Sequence, residues 1–263
     1  MSTYRSYILC TSPRSGSTLL CKLLSATGVA GHPGSHFHEP SLEAWLAYFG
    51  LPVVAGEAEP VTLRRVFAAA IHKGRNGTDL YGLRLQRHSF DFFMKKLAVL
   101  FSGSATDLER LDKAFGKTLF IHLTRQDKVE QAVSYVKAEQ SGLWHKAPDG
   151  TELERLSEPK EPEYDFKAIE ASYDRFIAFD RDWLTWFEHQ RIQPLRITYE
   201  DLSGHPQREL ARVLTRLGLD AEKAAGVTPG VAKLADAVSA EWADRFRQTL
   251  DEAENSAQPA TSS

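Results

Sequence analysis

The chain has 263 residues, 42% of them apolar, with 32 Lys and Arg against 35 Asp and Glu. That length suits one large domain or two small ones and supports a sizeable core. The near balance of charge argues against general affinity for nucleic acid or for anionic membranes, so any anion must be recognised locally.

The N-terminal apolar run YILC is too short for the hydrophobic region of a signal peptide, and it predicts a first strand over Ser6–Thr11. Small residues follow. Then comes an amphipathic helix that puts Leu19, Leu20, Leu23 and Leu24 on one face. Ser41 is an N-cap signal for a second helix carrying Leu42, Trp45, Leu46 and Phe49. A second strand is predicted over Tyr81–Gln86 and a third over Thr118–Thr124, the latter followed by helical spacing of Val129, Ala132, Val133 and Val136. Residues 142–165, rich in Pro, Gly and charge, read as a surface loop or a lid. An aromatic-rich helix is predicted over 166–187 with Ile169, Tyr173, Phe176 and Trp183 inward, and a fourth strand over 194–199.

Strands alternating with helices predict an α/β fold, a mostly parallel sheet flanked by helices on both faces. Ligands of such sheets lie beyond the carboxyl ends of the strands, here residues 13–18, 86–88, 125–127 and 200–202. The reading takes residues 1–253 as one domain and the polar end, 254–263, as a disordered tail. Cys10 and Cys21 have neither CxxC nor Cys/His ligand spacing and read as structural thiols of a reducing compartment. No segment has the apolar length of a membrane span. Together these features point to a soluble, cytoplasmic protein.

The stretch TSPRSGSTLLCKLLSATG, from Thr11 on, is a strand, a turn of small residues and a helix, a common way to hold a phosphate. Ser15, Gly16, Ser17 and Thr18 let backbone N–H groups converge at the helix start, and Arg14 adds a charged, planar donor fork. The plainer alternative is an ordinary strand-to-helix turn with a serine cap. A nucleotide-triphosphate loop would place a lysine after its last glycine, and none stands there. The third strand runs into HLTRQD, with Arg125 where a magnesium-binding acid would be expected. The loop therefore reads as an anion site served by arginines, with no metal.

With SPRSGSTLL and LTRQDKVEQAVSYVKAEQSGLW both in view, the chain resembles the bacterial trehalose sulfotransferase family, which uses 3′-phosphoadenosine-5′-phosphosulfate (PAPS). ATGVAG, YGLRLQ, ITYEDL and LADAVSAEWADRFR extend the likeness in order across residues 6–247. The resemblance implies a P-loop-kinase-like sulfotransferase fold, in which Arg14, Ser15, Gly16, Ser17 and Thr18 grip the 5′-phosphosulfate. It likewise implies that Arg125 and Ser134 bind the 3′-phosphate, Ser134 coming into reach only if the chain turns promptly at Asp127. Arg84 stands where the family has a lysine, near the bridging oxygen; the plain reading is a strand-end arginine in a salt bridge. The implied partners are PAPS as co-substrate, with no metal, and the hydroxyl of a carbohydrate or glycolipid, such as a surface-polysaccharide or lipopolysaccharide sugar. Several members are dimers, which admits a homodimer here.

One position departs from the pattern. The family carries its catalytic carboxylate in G-x-P-x-E-x-F, and this chain has GHPGSHF, with Ser35 in the glutamate's place. Serine is no general base at neutral pH, so the proton acceptor is sought among its neighbours, in the order His36, Glu39, His38. In an extended loop His36 and His38 would face one way and Ser35, Phe37 and Glu39 the other. Each histidine is also readable as a plain surface residue, and the irregular spacing speaks against a metal site. Trp144 is the better sugar platform and Trp45 the better core residue, while Trp242 or Arg245 is a candidate to close over the nucleotide. Two other readings stay open: a PAPS-binding protein of the same fold without catalysis, and a small-molecule kinase, which the missing lysine and acid disfavour.

Overall fold

The computed structural model describes residues 4–257. In chain order its elements are β1 (Ser6–Thr11), α1 (Ser17–Ala26), α2 (Leu42–Tyr48), α3 (Glu59–Arg75), β2 (Tyr81–Gln86), α4 (Arg87–Leu100), α5 (Asp107–Phe115), β3 (Thr118–Thr124), α6 (Lys128–Ser141), β4 (Leu143–Lys146), β5 (Glu152–Arg155), α7 (Phe166–His189), β6 (Leu195–Thr198), α8 (Tyr199–Gly204), α9 (Pro206–Leu217) and α10 (Ala237–Ala257). The chain, read from its sequence as one domain to residue 253, clusters into two compact units. One comprises the chain through Thr124 with Phe179–Gly230; the other comprises Arg125–Ala178 with the chain from Val231 on.

The first unit is built on a four-stranded, wholly parallel sheet in the order β2-β1-β3-β6. β1 lies inside the sheet with all six residues buried, which is why its sequence is a continuous apolar run with no alternation. β6 is shorter than the expected 194–199 because Thr198 turns its hydroxyl to accept from the backbone N–H of Asp201 at 3.1 Å, so Tyr199 already begins α8. Ser41 caps α2 as its sequence suggests, accepting from the N–H of Ala44 at 3.3 Å. Aromatic side chains dominate this core. Phe37 sits 4.8 Å from Trp45 and 4.9 Å from both Phe67 and Phe93, ring centre to ring centre, so the loop that carries it is anchored from within.

In the second unit α6 is followed by an antiparallel hairpin, β4–β5, inside the stretch expected to be a loop or lid. Arg155 of β5 donates to the Ser141 carbonyl at 2.7 Å, and Leu156 N–H to the Gly142 carbonyl at 2.8 Å, tying the hairpin to the end of α6. α10 continues to Ala257, so residues 254–257, expected in a disordered tail, are helical; 258–263 lie outside the described residues. Among the described residues no helix is long and apolar enough to cross a membrane.

Candidate active site

The turn between β1 and α1 departs twice from ordinary backbone, at Arg14 (φ 61°) and Gly16 (φ 84°). Left-handed residues alternating with ordinary ones turn successive N–H groups toward one side, and α1 adds the positive end of its dipole there. Gly16 is required twice over. A Cβ would meet the Tyr199 ring at 2.6 Å, so Tyr199, the first residue of α8, forms one wall of the loop. The Ser15 side chain is fully buried and turned inward, sharing a 2.5 Å hydrogen bond with Thr11 and donating to the Ser12 carbonyl at 2.8 Å. Ser15, expected among the anion contacts, is thus left with only its backbone N–H to offer.

Arg84 comes to this loop from the edge strand β2. Its backbone N–H donates to the Gly34 carbonyl at 2.9 Å, and Gly34 bridges in parallel to Leu83, so residues around 34 continue the sheet beyond β2. This register sets Ser35 against Arg84. The guanidinium donates through Nε to Ser35 Oγ at 2.6 Å and through Nη1 to Thr18 Oγ1 at 2.7 Å, with Ser17 Oγ at 3.5 Å. Of the two sequence readings, the surface salt bridge does not hold: Arg84 is half-buried, its partners are neutral hydroxyls, and its charge remains at the start of α1.

The extended alternation expected for residues 35–39 is broken by a turn at His36 and Phe37, and both side chains are buried. His36 is 1% exposed, stacked on Tyr81 with its Nδ1 3.2 Å from the Tyr81 hydroxyl, and its Nε2 is buried without a hydrogen-bond partner. Burial pushes its pKa down to about 3, helped by the positive charges of Lys73, His32 and Arg84. Such an imidazole is neutral at pH 7 but a weak proton acceptor with no open path to a substrate, which argues against its first rank as base. His38 and Glu39 are the exposed pair, their side chains 48% and 67% accessible and 3.8 Å apart. The Glu39 carbonyl accepts from Trp45 Nε1 at 2.6 Å, which fixes the backbone beneath them and leaves Trp45 in the core.

In the second unit the chain turns promptly at Asp127, whose carboxylate accepts from the N–H of Glu130 at 2.8 Å and starts α6 at Lys128. Arg125 is buried and paired with Glu130, and Ser134 lies in the second turn of the helix. Ser134 also lines a cavity of about 470 Å³ together with Lys137, Lys146, Arg155 and Lys160, a cationic wall offset by Glu161 and Asp236. Trp144 packs edge-on against Tyr135 at 5.6 Å, while Trp242 and Arg245 both lie on Tyr164, at 5.8 and 3.9 Å. Among the described residues no group of three or more His, Cys, Asp or Glu could hold a metal ion.

Two residues that shape the loop were not singled out for it by sequence: Tyr199 against Gly16, and Ser35 as a partner of Arg84. The motif YEDL contains the first but says nothing of where its ring lies. The second contact joins positions 49 apart in sequence and has no local signal.

The family model for Stf0 sulphotransferases matches residues 6–249. Trehalose 2-sulfotransferase from Mycolicibacterium smegmatis is 29% identical over 261 residues, covering 92% of this chain and 94% of that protein. The protein of the same description from Mycobacterium tuberculosis is 28% identical over 265 residues with the same coverage. Among solved structures, a sulfotransferase domain of the Synechococcus PCC 7002 olefin synthase aligns with TM-score 0.43 and 14% identity, over 97% of this chain and 94% of that one.

Proposed function

Because the chain belongs to the Stf0 sulphotransferase family, we propose that it moves a sulfuryl group from PAPS to a carbohydrate hydroxyl, without a metal ion. The donor supplies the activated sulfur, bonded to a phosphate oxygen that leaves with the electron pair of that bond. Everything else falls to the chain's own residues. The backbone of residues 14–18 and the charge of Arg14 hold the phosphosulfate end. Arg84 faces the developing charge on the leaving oxygen, and Arg125 with Ser134 takes the 3′-phosphate, as the resemblance implies. The acceptor's proton goes to the exposed pair His38 and Glu39.

The observation that carries this reading is Arg84. A full positive charge is held by two neutral hydroxyls beside the first turn of α1, where a metal-dependent phosphate site would set a lysine and a carboxylate-bound cation. Both relatives described above are trehalose 2-sulfotransferases, so trehalose is the first acceptor to try, followed by glycolipid and surface-polysaccharide sugars. Two buried, free thiols are in keeping with a reducing, cytoplasmic setting.

The test is calorimetric titration, without magnesium, of wild type and Arg125→Ala with adenosine 3′,5′-bisphosphate and with adenosine 5′-phosphate. Wild type should bind the bisphosphate more tightly. Arg125→Ala should weaken that binding by about tenfold or more while leaving the monophosphate unchanged, as expected on losing a charge-assisted contact. If wild type binds neither, the donor assignment falls. Ser35 at the glutamate position supports a second reading, a donor-binding protein without catalysis. Tight bisphosphate binding with no sulfated product by mass spectrometry from any of these acceptors would favour it.

A further inference from the structure

Arg84 has five N–H donors in a rigid fork. Ser35 Oγ accepts from Nε at 2.6 Å and Thr18 Oγ1 accepts from Nη1 at 2.7 Å, so the guanidinium is fastened at two corners by groups on different segments. Nη2 has no protein partner among the described residues, which leaves its N–H groups for a ligand. Thr18 and Ser17 belong to the first turn of α1, so the fastened charge sits where the helix already favours an anion.

The nature of the fastening matters as much as its geometry. An unanchored arginine loses rotamer freedom when a ligand orders it. A carboxylate at position 35 would hold the guanidinium equally well but would pair with its charge, and a neutralised arginine attracts an anion weakly. A serine hydroxyl orders the side chain and leaves its charge intact. Ser35 itself is held in register by the Gly34–Leu83 bridge and by the Arg84 N–H on the Gly34 carbonyl, so its position does not depend on the side-chain contact it makes.

We propose that Ser35 is a positioning residue: its hydroxyl holds Arg84 against Thr18, presenting an uncompensated positive charge and free N–H donors to the 5′ end of the nucleotide donor. The inference rests on the donor reading above and assigns a role to the position where the family's catalytic glutamate is replaced. Ser35 is neither base nor vestige. It sets the strength of the cation that faces the transferred group.

The test is titration with adenosine 3′,5′-bisphosphate and, separately, with adenosine 3′-phosphate, which has no 5′ group. Ser35→Ala should weaken bisphosphate binding about fivefold to tenfold, less than the loss of a direct hydrogen bond to a charged group because Ser35 acts on the ligand only through Arg84, and should leave the 3′-phosphate unaffected. Ser35→Thr keeps the hydroxyl and should bind within about twofold of wild type. Ser35→Asp should bind more weakly than Ser35→Ala, because it pairs with the charge it holds. On an Arg84→Lys background, which has no Nε–H, Ser35→Ala should add nothing. Unchanged bisphosphate binding in Ser35→Ala, equal losses for both nucleotides, or independent effects of Ser35→Ala and Arg84→Lys would each overturn this role while leaving the donor reading in place. Failure of wild type to bind the bisphosphate would overturn both.

Discussion

Replacing His36 with phenylalanine should change how the protein's stability depends on pH. His36 is 1% exposed, and burial together with Lys73, His32 and Arg84 lowers its pKa to about 3, against about 6.5 in an unfolded chain. Between those values the unfolded state takes up a proton that the folded state refuses. The stability linked to His36 is therefore fully present above pH 6.5 and is lost as pH falls toward 3, at about 1.4 kcal/mol per pH unit. From pH 7.5 to pH 5 the loss comes to about 2 kcal/mol, since only the stretch below 6.5 counts. Phenylalanine keeps the ring among Tyr81, Tyr48 and Phe49 but leaves the Tyr81 hydroxyl unpaired, a cost of about 1–3 kcal/mol that does not vary over this range. Urea denaturation of both proteins at pH 7.5, 6.5, 5.5 and 5.0 isolates the effect, because carboxylates titrate alike in the two. The advantage of wild type over His36→Phe should shrink by about 2 kcal/mol across the series. Parallel stability curves would refute the assignment of His36 as a buried, neutral imidazole.

Gly16→Ala puts a methyl group 2.6 Å from the Tyr199 ring at a φ of 84°, so the turn between β1 and α1 must shift. Calorimetry should show adenosine 3′,5′-bisphosphate binding weakened by about tenfold or more, and unchanged affinity would mean that this turn is not the anion site. His38→Gln and Glu39→Gln should each bind the bisphosphate as wild type does, while the variant that removes the proton acceptor should lower turnover on an accepted sugar by about 10²-fold or more. Turnover retained in both variants would move the base elsewhere.

The strands β1, β2 and β3 were legible to the residue, because each is a short β-prone run almost wholly buried in a parallel sheet, the half-buried Arg84 of edge strand β2 being the main exception. The Ser41 cap and the turn at Asp127 were legible because they are local, made by a side chain and a backbone N–H three residues on. The hairpin β4–β5 was not. Its strands, LWHK and ELER, are short and lack a buried alternating face, and the one available signal was the turn-forming Pro148, Asp149 and Gly150 between them.

At the candidate site, sequence alone supplied the candidate anion loop, its arginine and the departure at position 35, since each is a matter of which residue types stand side by side. Tertiary structure decided what those residues can do. A turn at His36 and Phe37, driven by the aromatic core that receives Phe37, buries the imidazole that periodicity would have offered to a substrate. The same packing leaves His38 and Glu39 exposed and brings Ser35 to Arg84 across 49 residues of chain. Local patterns carry backbone conformation and side-chain type, but burial, and through it charge and proton affinity, belongs to whatever the rest of the chain packs alongside.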